Sequence, residues 1–303
     1  MMGFSTKRTQ KEGMGAMDKP SGSILAKLAW QHDSFTRAEK RITDYILSNK
    51  TAAQYMTISE LAEKSGVSDA TLTRFCRRLG CKGFADFKLV LAKDCAAVPD
   101  RDPAQSGGIR STDTIEELCQ KLCNANREAL AETRRLIDPR MVSGAVDLLR
   151  QARRVCCCGQ GGSSIMAMEA WGRFVTVTNK VQWIQDSHMQ AMSAALLEKD
   201  DVILFFSFSG ATSDLMDIAR MARERSVHLI LVTGARTAPA AEYADIVLLC
   251  GVIEGPLQMG SVAAKISQLY LIDVLFNEFC RRDPEQAGRN QAYTADAISG
   301  KYL

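Results

Sequence analysis

The sequence predicts two folded units in series: an all-α helix-turn-helix domain over residues 24–95, then an α/β domain over residues 112–290 built on a doubly wound parallel sheet of about five strands. Three observations predict this. Residues 57–79 carry apolar side chains at three- and four-residue spacing, broken once by a Gly. Residues 154–249 carry short continuous apolar runs separated by helical segments. Between them, residues 96–111 are rich in Pro, Gly and small polar residues without periodicity, which reads as a linker.

At 303 residues, 46% hydrophobic and 24% charged, the chain has material for two cores. No apolar run reaches the ~18 residues that a membrane span needs. Residues 1–23 carry Lys7, Arg8, Lys11 and Lys19 but no hydrophobic stretch, so they read as a flexible basic tail rather than a secretory signal, and residues 291–303 read as a C-terminal tail. The 10 cysteines include no Cys-x-x-Cys pair, which points to reduced thiols in a cytoplasmic protein, with no metal and no cofactor expected.

In the first unit Thr36 and Glu39 form a capping box opening a helix through Ala38, Ile42, Tyr45 and Ile46. Thr57 and Glu60 form another, followed by Ile58, Leu61 and Ala62 on one side. Gly66 supplies the left-handed residue that ends this helix, Val67 fills the corner, and Ser68 caps the next. In that next helix Leu72, Phe75, Cys76 and Leu79 form the inward stripe, and Arg74, Arg77 and Arg78 fall opposite, with Ala70 and Thr71.

The second helix of such a motif enters the DNA major groove with its N-terminal residues at the base edges. Ser68, Asp69, Thr71 and Arg74 are therefore candidate base readers, and Arg77, Arg78, Lys82 and Lys88 candidate phosphate contacts. A solvated basic helix is the competing reading. Charge distribution favours DNA: residues 1–99 hold 16 Lys and Arg against 10 Asp and Glu, a net of +6, whereas the remainder holds 22 against 25, a net of −3. Double-stranded operator DNA is the expected partner.

In the second unit residues 112–137 form an amphipathic helix, and Asp138-Pro139 caps and opens another that ends near Gln151. Strands are expected at 154–158, 181–184, 202–207, 228–232 and 246–249. Adjacent strand residues face opposite ways, so Cys156, Cys157 and Cys158 cannot converge on one ion and read as small buried hydrophobes. Ligands on such a sheet bind beyond the strands' carboxyl ends. There, Gly159–Ser164 and Ser207–Thr212 each combine Gly with hydroxyls at a helix start, a pattern suited to phosphate. A Gly-Ser turn that merely caps its helix is the alternative for either loop alone. Gly161, Ser163, Ser164, Ser207, Ser209, Gly210 and Thr212 are the candidate phosphate contacts, and His188 and Glu254 candidate contacts to the rest of the ligand. A dinucleotide fingerprint fits less well, since Ser164 stands where its third Gly belongs, and no Walker-type Lys follows the glycines.

Ala38 to Ile42, Ser59 onward, and the Arg-Phe-Cys…Leu-Gly…Gly-Phe…Phe-Lys run from Arg74 to Lys88 resemble the helix-turn-helix domain of the RpiR family of bacterial transcription regulators. Residues from about 125 to 280 resemble a sugar isomerase (SIS) domain, through Gly159 to Ser163 and Ser207 to Thr212. The resemblance implies a regulator of carbohydrate metabolism whose SIS domain binds a phosphosugar effector and controls operator binding. The alternative is a phosphosugar isomerase with an accessory DNA-binding domain, with Glu254 and His188 as its acid/base pair. Helix-turn-helix modules act on paired half-sites, so a homodimer or higher homo-oligomer is expected. The apolar helix from Val262 to Phe279 reads first as core packing, with a partner subunit as the other occupant.

Overall fold

The computed structural model describes residues 23–96, 109–251 and 261–301. Residues 1–22 of the basic tail, most of the linker, and Glu254 lie outside the described residues.

The first unit is all helical: α1 (Ile24–Trp30), α2 (Arg37–Ser48), α3 (Lys50–Ala53), α4 (Ile58–Ser65), α5 (Asp69–Arg78) and α6 (Phe84–Ala96). Both expected capping boxes form, at Thr36 with Glu39 and at Thr57 with Glu60. Ser23 caps α1 and its hydroxyl donates to Asp94 at 2.8 Å, which ties the first helix to the last. Gly66 ends α4 at φ +64°, and Ser68 accepts from the Thr71 N–H to start α5 only two residues on. Ile42, Ile46, Leu61, Leu72, Phe75, Cys76, Phe87 and Leu91 close the core. Within it Phe35 meets Phe75 edge to face at 5.2 Å.

The second unit opens with α7 (Ile115–Leu136) and α8 (Pro139–Gln151), capped by Thr114 and Asp138. It continues as β1 (Arg154–Gly159), α9 (Gly162–Phe174), β2 (Val181–Trp183), α10 (Ser187–Ala194), β3 (Asp201–Phe206), α11 (Ser213–Glu224), β4 (His228–Thr233) and β5 (Ile246–Leu249). It ends with α12 (Val262–Arg281) and α13 (Pro284–Ser299). The five strands are all parallel, in the order β2-β1-β3-β4-β5.

Every residue of β3 is buried, as a strand covered on both faces requires. On one face Cys157, Leu204, Phe206, Ile230 and Val232 pack under residues of α8, α9 and α12. On the other, Cys156, Cys158, Ile203, Phe205, Leu229 and Leu231 pack under α10 and α11. The three consecutive cysteines thus divide between the two cores. Burial pushes the Cys157 and Cys158 thiols far up, so both stay protonated and inert.

One expectation needs correction. Residues 291–303 are not a tail as a whole, because α13 runs through to Ser299. Asp283 caps it with Pro284 at its first position, Asn290 Nδ2 donates to the Val177 carbonyl at 2.6 Å, and the Thr294 hydroxyl donates to that of Thr176 at 3.1 Å. In α12 the buried stripe runs through Ala264, Gln268, Leu271, Ile272, Leu275 and Phe276, leaving Val262 and Leu269 exposed. That helix therefore serves the core with one face and shows apolar side chains on another.

Candidate functional site

The outer face of α5 carries a short polar chain. Ser68 Oγ and Thr71 Oγ1 lie 3.0 Å apart, and Arg74 Nη2 donates to Thr71 Oγ1 at 3.2 Å. Arg74 and Arg77 are exposed, and Arg77 makes no ion pair among the described residues. Lys82 is also exposed, its backbone N–H held by Asp86 at 2.8 Å. Asp69 is turned back toward α4, where its carboxylate accepts from the Ser59 hydroxyl at 2.8 Å. It braces the two helices of the motif.

Two of the expected phosphate contacts are placed otherwise. Arg78 is engaged inside the unit: its guanidinium pairs with Glu39, donates to the Ser34 carbonyl and lies 5.4 Å from the Phe35 ring centroid. Burial would raise the Glu39 pKa, but the Thr36 N–H and Arg78 outweigh it and hold the carboxyl below its usual range. Lys88 is half-buried beside the Phe84 ring. Burial there lowers its pKa to about 8, against the pull of Glu60. Both follow from position. Arg78 sits at the end of α5 where the chain passes α2, and α6 carries Lys88 inward one residue after the fully buried Phe87.

In the α/β unit β1 has β2 on one side and β3 on the other, so successive connections diverge at the β1–β3 boundary. That divergence leaves a crevice outside the carboxyl ends of the strands. The two expected loops flank it. Gly159 pairs with Phe206 in the ladder, and a side chain there would come within 2.8 Å of the Ser163 carbonyl and 3.0 Å of that of Phe206. Only a Gly lets the first loop fold back this tightly. The second loop is stitched to the end of β4: Thr233 Oγ1 donates to the Phe208 carbonyl at 3.1 Å, and Gly210, at φ +58°, packs against Ala238 and Thr233.

Helix caps distinguish this crevice from the rest of the chain. Of the helices with eight or more residues whose N-caps are described, α2, α4, α5, α7, α8, α10, α12 and α13 each have a side chain accepting a first-turn N–H. Only α9 and α11 have none; they begin at Gly161 (φ +54°) and Thr212. These are the helices whose N-termini border the crevice; in α9 the Ser163 and Ser164 N–H groups donate to the Gln160 and Gly161 carbonyls at 3.0 and 3.2 Å, so the open N–H groups are those of α11, and both dipoles suit an anion. Two hydroxyls there are buried without a partner, Ser164 Oγ and Thr212 Oγ1. Ser207 is buried, with its oxygen accepting from the Gly210 N–H at 3.2 Å, while Ser163 is half-buried and Ser209 exposed.

His188 stands exposed in the first turn of α10, which is capped by Asp186. Gln190 belongs to no sequence motif, yet it is fully buried and its side-chain amide reaches the Gly159 and Ile184 carbonyls and Gln160. The available signal was one amide among the small and sulfur-bearing residues of a short helix.

Residues 22–98 match the helix-turn-helix domain of the rpiR family, and residues 148–278 match the SIS domain. A Haemophilus influenzae HTH-type transcriptional regulator is 31% identical over 92% of this chain and 97% of its own length. The chain belongs to the RpiR family. Its relatives include the HTH-type transcriptional regulator HexR of Escherichia coli, 30% identical over 86% of this chain and 89% of its own. Among solved structures, the Vibrio vulnificus NanR protein complexed with ManNAc-6P superposes with a TM-score of 0.83 at 28% identity, covering 93% of this chain and all of that one. This RpiR-family member is thus a transcriptional regulator with helix-turn-helix and SIS domains. Among its described residues no helix is long and apolar enough to cross a membrane.

Proposed function

We propose that α5 reads operator DNA, that the β1–β3 crevice binds a phosphosugar, and that the second event controls the first. The observation that carries this is the pair of uncapped helix N-termini, α9 and α11, facing one crevice whose Ser164 and Thr212 hydroxyls lack partners. A single open cap is ordinary. Two at the switch point of one sheet, where the other long helices with described N-caps all use side chains, fit a phosphate.

Exposed Arg74 and Arg77 support the DNA half of the reading, with Ser68 and Thr71 beside them at the N-terminal end of α5. The NanR structure, described with a sugar phosphate, supports the effector class. The protein acts as a cytoplasmic homodimer on two half-sites. Exposed Ile115 and Leu122 on α7, Ile165 and Met168 on α9, and Val262 and Leu269 on α12 offer apolar area to a second copy. The SIS domain serves as a sensor rather than an enzyme: relatives that span most of the chain are named transcriptional regulators.

The test is a thermal-shift panel of hexose 6-phosphates and N-acetylhexosamine 6-phosphates against the same sugars without phosphate. A ligand at 100 times its Kd stabilises by about 2.7 kcal/mol, so a binder is readily seen. At least one phosphorylated sugar should raise Tm, lose that effect in a Ser207→Ala, Ser209→Ala variant, and change affinity for DNA. Equal stabilisation by the unphosphorylated sugars would refute a phosphate cradle.

A further inference from the structure

Gln190 on α10 is closed to solvent, and both ends of its side-chain amide are engaged. Its Nε2 lies 3.1 Å from the Gly159 carbonyl, 2.7 Å from that of Ile184 and 3.4 Å from that of Gln185. Its Oε1 accepts from Gln160 Nε2 at 2.9 Å. Carbonyl oxygens only accept, so their convergence on one end of this amide fixes that end as NH2. The other end is then an acceptor, and the Gln160 atom that faces it has to be NH2 as well. This leaves Gln160 Oε1 as the terminus of the pair, oriented through Gln190 by carbonyls from two loops, and it is buried with no partner.

A buried acceptor without a partner costs on the order of 1–3 kcal/mol, and native structures that keep one commonly do so for function. The place is informative. Gln160 belongs to the first crevice loop, and its bond to Gln190 draws it toward the β2 side, away from the second loop, which follows β3. A phosphate held between the uncapped ends of α9 and α11 would leave the rest of its molecule free to extend toward that side.

We infer that Gln160 is a specificity-determining residue: its Oε1 accepts a hydrogen bond from a hydroxyl of the ligand's sugar, and Gln190 is the positioning residue that orients it. This rests on the phosphosugar reading above. Oε1 is buried, so the hydroxyl reaches it only where neighbouring side chains give way. Every other group named in the crevice is a backbone N–H or a hydroxyl; Gln160 adds an amide acceptor to it. Inorganic phosphate has no sugar hydroxyl and makes no use of it.

The experiment titrates the full-length protein with the tightest hexose 6-phosphate of the panel and, separately, with inorganic phosphate. Gln160→Met should weaken the sugar phosphate about tenfold or more, the equivalent of one lost buried hydrogen bond, while phosphate affinity stays within about twofold of wild type. Gln190→Glu sets a carboxylate against three carbonyls. Its affinity for the sugar phosphate, relative to wild type at each pH, should be low at pH ~7.5 and recover toward pH ~5.5 as the protonated acid regains a donor. A purely structural Gln190 would weaken inorganic phosphate in parallel, whereas a positioning role leaves phosphate affinity near that of the wild type. Unchanged sugar-phosphate binding by Gln160→Met, or equal loss of both ligands, overturns the specificity role. Identical Gln190→Glu deficits at both pH values overturn the positioning role. Failure of the wild type to bind any sugar phosphate instead removes the phosphosugar reading itself, and this inference with it.

Discussion

Ser68 and Thr212 hold the same position at the start of a helix and do opposite things. Ser68 accepts from the Thr71 N–H and closes the end of α5, whereas the Thr212 hydroxyl caps nothing and is buried without a partner at the end of α11. In the helical unit the backbone is satisfied internally and recognition is left to side chains that project outward. At the crevice of the α/β unit two helix starts carry no side-chain cap, and hydroxyls only supplement the backbone there. Local sequence rules describe the helix starts of the first arrangement. The second takes its meaning from which strands lie side by side.

The largest effect expected from this contrast comes from removing the projecting side chains. Arg74→Ala with Arg77→Ala should weaken binding to a DNA fragment selected from a random pool by the wild-type protein about a hundredfold or more, since each arginine at a base or phosphate contributes about 1–3 kcal/mol. Neither is buried, so Tm should hold. Arg78→Ala should do the reverse: it breaks the pair with Glu39 and the contact with Phe35, lowering stability more than DNA affinity. Fluorescence anisotropy beside a melting curve separates the two. Normal DNA binding by the double variant would break the comparison, because α5 would then be an ordinary solvated helix.

A smaller effect probes the open backbone. Gly210 adopts φ +58° and an added side chain would run into Ala238, so Gly210→Ala should cost about 2 kcal/mol through left-handed strain and crowding. The phosphosugar Tm shift should be lost with it. Gly161 also has positive φ, +54°, but a side chain there meets nothing within 4 Å. Gly161→Ala therefore isolates backbone strain, at roughly 1–3 kcal/mol, since φ +54° with ψ −125° is a conformation an L side chain rarely adopts. A Gly210→Ala variant as stable as the wild type would mean that the packing of the second loop against Ala238 is looser than the structure places it.

These two regions also show what was legible in advance. The capping boxes, Gly66, the inward stripe of α5 and the five strands follow from local chemistry, and each stands where its residues indicate. The crevice loops were recognisable as Gly-and-hydroxyl helix starts, but their adjacency depends on β1 pairing with β3, a long-range fact. Gln190 was illegible because its significance lies in three carbonyls from elsewhere in the chain. The partners of Arg78 and Lys88 are hidden from local sequence for a related reason: a basic residue beside a DNA-reading helix looks free until Glu39 or Phe84 is seen next to it.

Lys88 supplies the smallest and sharpest test, since its burial is what separates it from the exposed arginines of α5. Burial, partly opposed by Glu60, lowers its pKa to about 8, whereas a lysine in the unfolded chain titrates near ~10.4. Between those values the unfolded chain binds more protons than the folded one, so the stability of the helical unit should rise with pH across that window. Below about 8 the full cost of the buried ammonium is carried. Lys88→Met removes that cost and should stabilise the unit by roughly 1 kcal/mol at pH 7 while flattening the rise above pH ~8. Amide hydrogen exchange in α6 reads this unit separately from the other. DNA affinity should change little. Were the Met variant instead less stable and weaker on DNA, the ammonium would be reaching solvent, and Lys88 would rejoin Arg74 and Arg77 on the projecting side of the comparison.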